Sequence, residues 1–193
     1  LYPRYGVPID DTPLDLDQLF GRTAPRWVDI GFGAGESLLW HAARRPDVDF
    51  LGLEVYPPGV GRTLRGIESA ELTNVRVLRQ DAVEVFAHRL PAGSLARVML
   101  LFPDPWPKKR HHKRRIVQPA FLSSIARALV SGGVLHMATD WMPYAEVMAE
   151  VADAHPDFVP IVDEAALAQA TLRPDTRFER RGQRLGHEVR DLA

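Results

Sequence analysis

The amino-acid sequence predicts an α/β fold with a doubly wound, mostly parallel sheet of seven strands. Short apolar runs alternate with stretches of helical spacing, which is typical of a parallel sheet covered on both faces. The chain has 193 residues and is 46% hydrophobic, enough for one full core. We therefore expect a single domain over residues 1–193. We expect residues 1–24 to form an N-terminal extension, and the start at Leu1 rather than Met predicts that this extension is truncated.

The strands are predicted from short runs rich in apolar and β-branched residues. In chain order they are residues 26–30, 50–55, 75–78, 96–101, 134–138, 158–162 and 186–192. Helices are predicted where apolar residues recur at helical spacing. These segments are residues 36–43, 60–70, 82–89, 116–130 and 144–155. The strict alternation ends after Pro156, where a more polar segment separates the last two predicted strands.

Composition limits the classes of function that the chain can serve. The formal net charge is −1 and the sequence pI is about 6.7, so any attraction to nucleic acid must be local. The chain has no cysteine, which excludes disulfides, thiolate metal sites and cysteine nucleophiles and agrees with a cytoplasmic location. No apolar run approaches the roughly 18–20 residues of a membrane span, and no signal peptide is visible. We expect neither membrane association nor a metal site.

The first strand runs into a glycine-rich turn, Gly31-Phe32-Gly33-Ala34-Gly35, which opens the first long helix. Glycine lets a backbone turn sharply and approach a ligand closely. A dinucleotide-binding fingerprint places its third glycine five positions after the first, whereas here the third follows after four. This spacing resembles the glycine loop of S-adenosylmethionine-dependent methyltransferases. An ordinary tight turn is the alternative interpretation.

Acidic residues follow the next two strands. Glu54 closes the second strand, where a carboxylate can accept hydrogen bonds from both hydroxyls of a ribose. Asp81 follows the third strand, where it can accept from an adenine amino group or cap the next helix. The glycine turn and the two acids therefore occupy three successive strand ends. Because open α/β sheets bind ligands at that edge, the sequence predicts a cofactor site there.

A proline-rich turn and a run of cations follow the fourth strand. Prolines at positions 103, 105 and 107 restrict the backbone around Asp104, so we expect this carboxylate to be held rigidly. Residues 108–115 then contain six cations and two histidines but no acid. A charged run is usually a solvated face, but its place beside a fixed acid indicates a phosphate-binding surface. We expect Trp106 to pack against the protein, although stacking on a base is the alternative.

Taken together, these segments resemble the tRNA (guanine-N7)-methyltransferase family over nearly the whole chain. The resemblance implies a Rossmann-like class I methyltransferase fold, in which the last of the seven strands is antiparallel. The matching segments are residues 29–35, 52–55, 58–61, 80–84, 103–115, 138–141, 176–179, 181–182 and 185–187. The resemblance implies transfer of a methyl group from S-adenosylmethionine to N7 of a guanine in the variable loop of tRNA.

The resemblance also implies roles for individual residues. It implies a cofactor site lined by Asp29, Glu54, Asp81 and Asp104, to which the glycine turn adds Gly31, Gly33 and Gly35. We predict Asp104 to be the catalytic residue. It implies contacts with the target from Lys108, Asp140, Thr176, Arg177, Phe178 and Glu179. It implies an RNA-interaction stretch formed by Arg110, His111, His112, Lys113, Arg114 and Arg115. Arg177 departs from the family, which commonly has lysine there, and the acidic N-terminal segment departs from the basic arm that is common in the family.

Guanine N7 carries an in-plane electron pair and no proton, so its methylation needs no general base. Positioning and charge placement should then account for catalysis. Asp104 can stabilise the positive charge that develops on the purine, anchor the amino acid group of the cofactor, or orient guanine through its N1–H and amino hydrogens. The sequence does not choose among these three roles.

Two other functions are compatible with the motifs. One is a methyltransferase acting on an exocyclic amine of DNA or on a protein glutamine, since such enzymes also carry a proline-rich motif after the fourth strand. Their usual pair of adjacent prolines followed by an aromatic residue is absent here. The other is a non-catalytic RNA-binding protein with the same fold, against which the glycine loop, Glu54 and Asp104 together argue. The sequence does not distinguish a monomer from a homodimer.

Overall fold

The computed structural model describes residues 1–176, 179–180, 184 and 186–193. Its strands are β1 (Arg26–Ile30), β2 (Asp49–Leu53), β3 (Val75–Leu78), β4 (Leu95–Leu101), β5 (Leu129–Thr139) and β6 (Arg190–Leu192). The described α-helices are α1 (Tyr2–Tyr5), α2 (Leu16–Phe20), α3 (Glu36–Arg44), α4 (Pro57–Ser69), α5 (Ala82–His88), α6 (Pro119–Ala128), α7 (Met142–Asp153) and α8 (Glu164–Ala170). A 3₁₀ helix spans Lys109–Arg114.

The strands form one sheet in the order β3-β2-β1-β4-β5-β6. Strands β1 to β5 are parallel, and β6 runs antiparallel to β5. The chain proceeds outward from β1 to β3 and then returns to place β4 on the other side of β1. A topological switch point therefore lies between β1 and β4, where a ligand crevice is expected. The predicted α/β fold with an antiparallel last strand is confirmed.

The predicted strand count was wrong, since the sheet contains six strands among the described residues. Residues 158–162 form no strand, and Val159 and Val162 are 83% and 87% exposed. Pro160 lacks the N–H group that a paired strand would donate in the middle of this segment. Ile161 does donate a hydrogen bond to the Ala193 carbonyl at 3.0 Å, which places the segment alongside the end of β6.

The helix predicted at residues 116–130 is shorter at both ends than expected. Pro119 occupies its first turn, where a missing N–H group is tolerated, and sets the start of α6. Before it, the Val117 N–H donates to the Tyr144 hydroxyl at 3.3 Å instead of entering a helix. At the other end Leu129 begins β5 and pairs with Leu95, so tertiary pairing overrides the helical pattern.

Two hydrophobic clusters cover the faces of the sheet. Leu51 and Leu53 of β2 belong to the larger cluster with α5, α6 and α7, whereas Phe50 belongs to the smaller cluster with α3 and α4. Successive strand side chains point to opposite faces, so burial on both faces requires a continuous apolar run. This burial fixes the register of the central strands and brings the turns after them to one edge.

The N-terminal segment packs on the β3 side of the sheet. The Val7 N–H donates to the Val77 carbonyl at 2.8 Å, and Gly6 forms an isolated bridge with the same strand residue. Arg89 is buried and donates to the carbonyls of Pro8 and Thr12 at 3.1 and 2.9 Å. Within the described ranges, no helix is both long and apolar enough to cross a membrane.

Candidate active site

A cavity of about 270 Å³ opens at the carboxyl edge of the sheet, at the switch point between β1 and β4. Its walls are residues 31–34 of the glycine loop (residues 31–35), the first turns of α3 and α4, the end of β4 and Thr176. Asp29, the fourth residue of β1, also lines the cavity. The cavity therefore lies where the sequence predicts a cofactor site.

The glycine loop requires glycine for steric reasons. Gly31, Gly33 and Gly35 have φ angles of 69°, 55° and 80°, in the left-handed region that other residues rarely adopt. At Gly35 a Cβ atom would also lie 2.5 Å from the Thr63 hydroxyl oxygen. The loop is a tight turn, as the alternative interpretation supposed, and it also lines the cavity.

The first turn of α4 packs directly against the glycine loop. A Cβ atom at Gly59 would lie 2.4 Å from the carbonyl oxygen of Gly33. Contact this close leaves room for glycine alone, because the obstructing atom belongs to the backbone. Sequence patterns other than the family resemblance gave no indication of this contact, since it joins two segments that are distant along the chain.

Glu54 ties the glycine loop to the end of β2. Its carboxylate accepts hydrogen bonds from the backbone N–H groups of Gly33 at 2.8 Å, Val55 at 2.8 Å and Tyr56 at 3.0 Å. A carboxylate has about four acceptor positions, so it retains capacity for a further donor such as a ribose hydroxyl. Glu54 therefore organises the loop and can still bind a ligand.

Asp29 is the most unusual ionisable group of the site. It is 2% exposed, and its Oδ2 atom has no hydrogen-bond partner among the described residues. Burial, with a smaller contribution from the negative charge of Glu54, raises the pKa of Asp29 to about 8. A buried unpaired carboxyl is costly, so the cavity favours a ligand that brings a positive charge or a strong donor.

Ser37 is a second buried polar group in the cavity wall, and the sequence analysis missed it. Its hydroxyl oxygen also lacks a partner within the described part of the chain. Ser37 lies in the first turn of α3, directly after the glycine loop. Only its position beside that loop could have indicated it, because serine is common in the first turns of helices.

Asp81 and Asp104, like Glu54, are not among the residues that line the cavity. Asp81 is exposed and caps α5 by accepting a hydrogen bond from the Val83 N–H at 2.7 Å. Asp104 is exposed in the turn after β4, and the described residues offer it no hydrogen bond or ion pair. Asp104 lies two positions after Phe102, which lines the cavity, so its carboxylate is available to a ligand bound there. Asp81 combines a structural role with any ligand contact.

The turn that carries Asp104 is strained and firmly attached. Phe102 and Trp106 adopt φ angles of 54° and 42°, and a non-glycine residue in this region costs on the order of 1–3 kcal/mol. The Phe102 N–H donates to the Ala138 carbonyl at 2.7 Å, and Arg115 Nε donates to the Pro105 carbonyl at 2.9 Å. The rigidity expected from the prolines therefore has support from hydrogen bonds on both sides.

Most of the cationic run is available to an external partner. Lys108, Lys109, Arg110, Lys113 and Arg114 are exposed, and His111 and His112 are half-buried. Trp106 is half-buried against this run, with the Arg114 guanidinium 4.9 Å from its ring centroid and the His111 ring at 5.7 Å. The packing expected for Trp106 is therefore against the 3₁₀ helix rather than in the core.

Arg115 differs from the other cations of the predicted RNA-interaction stretch. It is 5% exposed, and its guanidinium lies 4.7 Å from the Tyr144 ring centroid. Together with the hydrogen bond to Pro105, this placement holds the turn against α7. Its side chain is directed into the protein, so we assign it to supporting the motif rather than to binding RNA.

Thr176, Glu179 and Asp140 are the other described residues that were expected to contact the target. Thr176 is buried, lines the cavity and accepts a hydrogen bond from the Glu179 N–H at 3.2 Å. Asp140, at the end of β5, lies 3.6 Å from His187 through its Oδ2 atom and the histidine Nδ1 atom. Arg177 and Phe178 lie outside the described residues.

Comparisons with known proteins agree with this architecture. Residues 23–192 match a family model described as "Putative methyltransferase". The chain is 53% identical to the tRNA (guanine-N(7)-)-methyltransferase of Alkalilimnicola ehrlichii over all of this chain and 82% of the relative. It is 54% identical to the enzyme of the same name from Leifsonia xyli, over 99% of this chain and 85% of the relative.

Two solved structures share the fold at low sequence identity. The aminoglycoside resistance methyltransferase NpmB1 superposes with a TM-score of 0.58 over 92% of this chain and 90% of its own, at 15% identity. The precorrin-6y C5,15-methyltransferase of Geobacter metallireducens gives a TM-score of 0.56 over 80% and 81%, at 17% identity. The class I methyltransferase architecture predicted from the sequence is thus confirmed.

Replacing Asp29 with asparagine should change how stability depends on pH. The pKa of Asp29 is raised from 3.8 to about 8 in the native state, so the native protein retains a proton that the unfolded chain loses. The free energy of unfolding should therefore fall as pH rises between these values, by about 1.4 kcal/mol per pH unit. Asp29→Asn removes this term. Urea denaturation of both proteins at several pH values should show the variant gaining relative stability as pH rises, and parallel pH profiles would contradict the raised pKa.

Two glycines of α4 provide a matched test of the contact with the glycine loop. Gly59→Ala places a methyl group against the Gly33 carbonyl, which should destabilise the fold by roughly 1–3 kcal/mol. At Gly61 the nearest described atom to an added Cβ is Arg65 Nη1 at 4.0 Å, so Gly61→Ala should stabilise the helix by about 0.5–1 kcal/mol. Urea denaturation compares the two variants. An equal gain in the free energy of unfolding from both substitutions would show that α4 does not pack closely against the loop.

Proposed function

The chain belongs to the tRNA (guanine-N7)-methyltransferase family, and from this membership we propose how its site works on a guanine in the variable loop of tRNA. Membership confirms the resemblance drawn from the sequence. The activity of the family is transfer of a methyl group from S-adenosylmethionine to guanine N7 in tRNA. The position of the guanine in the variable loop rests on the resemblance and is part of our proposal.

The observation that carries the proposal is the buried, unpaired carboxyl of Asp29 in the cavity wall. S-adenosylmethionine carries an ammonium group that can pair with this carboxyl and so offset the cost of burying it. The Glu54 carboxylate can accept a ribose hydroxyl while holding the glycine loop. The residues present therefore fit the cofactor, with Ser37 supplying a further polar contact.

The glycines and Asp81 complete the proposed cofactor site. Gly31 and Gly33 bring the backbone to the cavity without a Cβ atom in the way. Asp81 accepts one hydrogen bond at the start of α5, which leaves acceptor capacity for an adenine amino group. These assignments follow the order predicted from the three successive strand ends.

We propose that the residues of this chain act in catalysis by positioning and by fixed charge. When bound, S-adenosylmethionine supplies a methyl group activated by its sulfonium. Guanine N7 attacks with a free electron pair, so no residue needs to remove a proton. Asp104 is an exposed carboxylate in a rigid turn at the cavity mouth, where it can stabilise the positive charge that develops on the purine. The same carboxylate can orient guanine through its N1–H and amino hydrogens.

The exposed cations supply the proposed tRNA-binding surface. Lys108 to Arg114 begin four positions after Asp104, so a phosphate backbone bound there would pass close to the cavity mouth. Basic side chains on phosphates release counterions, which gives the chain a local attraction for RNA despite its net charge of −1. Asp140 and Thr176 lie at the same edge of the sheet and are the proposed contacts with the target base. We also propose a cytoplasmic location and one domain over residues 1–193.

The direct test is incubation with an unmodified tRNA transcript and methyl-labelled S-adenosylmethionine, followed by nucleoside analysis. We expect label in 7-methylguanosine. A transcript in which the variable-loop guanine is replaced by adenine should lose that label. If the protein binds S-adenosylhomocysteine but forms no 7-methylguanosine in the tRNA, the proposed activity is rejected. If the label persists in the altered transcript, only the position of the target guanine in the variable loop is rejected.

Replacing Asp104 with asparagine preserves shape and removes the charge. If the carboxylate stabilises the developing cation, turnover should fall by about 10²–10³-fold, because one well-placed electrostatic contact has this effect in other enzymes. The Kd for tRNA should change little. Asp153→Asn, at the exposed end of α7, is the matched control and should leave turnover unchanged. A tRNA Kd that rises as much as turnover falls would assign Asp104 to RNA binding instead.

Neutralising exposed cations should weaken tRNA binding in a salt-dependent way. The triple substitution of Lys109, Arg110 and Lys113 by glutamine removes about three phosphate contacts, each of which contributes up to roughly 0.9 to the slope of log K against log salt. Filter binding at several salt concentrations measures this slope. Arg45→Gln, in an exposed ion pair at the far end of α3, is the control. An unchanged slope in the triple variant would remove this surface from the RNA interface.

A further inference from the structure

Arg173 has a buried side chain and lies just before the segment that contains Thr176 and Glu179. Its side chain is 6% exposed. The guanidinium makes a two-pronged contact with Asp191 of β6, with Nε donating to Oδ1 at 2.8 Å and Nη2 to Oδ2 at 2.9 Å. This fork geometry is a property of arginine that lysine cannot reproduce.

The same guanidinium also holds Glu179 and the turn after β4. Nη1 donates to Glu179 Oε2, and Nη2 donates to Glu179 Oε1 at 3.3 Å. The guanidinium carbon lies 5.2 Å from the centroid of the Phe102 ring. Phe102 is the strained residue two positions before Asp104, so one cation contacts both the proposed target segment and the turn that carries the proposed catalytic carboxylate.

The network continues into the centre of the sheet. Asp191 shares a hydrogen bond of 2.7 Å with Nε2 of His136, which is fully buried on β5. Burial tends to lower the pKa of Arg173, but the hydrogen bonds from Asp191 and Glu179 outweigh it and raise the pKa overall. Arg173 is thus charged and is held from both sides by carboxylates on separate segments.

Glu179 is buried, and its carboxylate is already paired with Arg173. Pairing with an external guanine would require this ion pair to break, which would leave a buried guanidinium with one partner fewer. Its backbone N–H is also engaged by the Thr176 hydroxyl. The contacts of Glu179 are therefore directed toward the protein.

We propose that Arg173 is a positioning residue that fixes Thr176 and the Phe102–Asp104 turn relative to each other, and that Glu179 acts through Arg173. This inference rests on the proposed function. Thr176 and Phe102 both line the cavity. A shift of either wall would alter the cofactor site, and a displacement of about 1 Å at a reacting centre can cost on the order of 100-fold in rate.

Arg173→Lys tests the proposal because it keeps the charge and loses the fork. We expect kcat to fall about 10- to 100-fold. The Kd for S-adenosylhomocysteine, measured by calorimetry, should rise several-fold, with the Kd for tRNA unchanged. Arg45→Lys is the matched control, because Arg45 makes the same two-pronged contact with Asp47, at 3.0 and 2.8 Å, in an exposed pair at the far end of α3. It should leave all of these quantities unchanged.

Glu179→Gln and the double variant separate positioning from direct contact. If Glu179 acts through Arg173, the double variant should be no slower than Arg173→Lys alone; multiplied losses would show an independent role and overturn that part. Normal kcat and S-adenosylhomocysteine affinity in Arg173→Lys would overturn the rest. It would also be overturned if kcat and affinity returned to normal at a lower temperature at which the variant regains its fold, because the defect would then be one of folding. Failure of the wild type to form 7-methylguanosine would reject the proposed function, whereas S-adenosylhomocysteine affinity would still test the positioning.

Discussion

The glycine loop is held between the Glu54 carboxylate on one side and the first turn of α4 on the other. Glu54 accepts the Gly33 N–H, and the Gly33 carbonyl meets Gly59 at a distance that excludes any side chain. This clamp fixes the loop over the end of β1, so Asp29 is closed off from solvent on that side. The cavity, its buried acid and the start of α3 all depend on the position of this loop.

The three carboxyl groups of the site have different environments and therefore different roles. Asp29 is buried and unpaired, which raises its pKa and favours a cationic ligand. Glu54 accepts three backbone N–H groups, which anchors the loop, and it keeps acceptor capacity for a ribose hydroxyl. Asp104 is exposed in a rigid turn. None of these groups needs to act as a base, because guanine N7 carries no proton, and the chemistry therefore depends on where charge is fixed rather than on proton transfer.

Sequence reasoning reached the features that local chemistry determines. The glycine loop, the acid after β2 and the proline turn each follow an apolar strand, so the parallel topology alone brings them to one edge. Sequence reasoning failed where contacts between segments distant along the chain determine the structure. Residues 158–162 have strand-like residues but a proline at the pairing position, and the burial of Arg115 depends on Tyr144 of α7. The Arg173 network joins residues far apart in the chain, and no local pattern indicates it.

The central claim is that the positive charge of the cofactor offsets the burial of Asp29. The most direct measurement is a ¹³C NMR titration of the Asp29 carboxyl, assigned through Asp29→Asn, with and without S-adenosylhomocysteine, which keeps the ammonium group and lacks the reactive methyl. The account predicts a pKa near 8 in the free protein and a fall well below 7 in the complex. A pKa that stays the same on binding, or an ordinary pKa in the free protein, would contradict it.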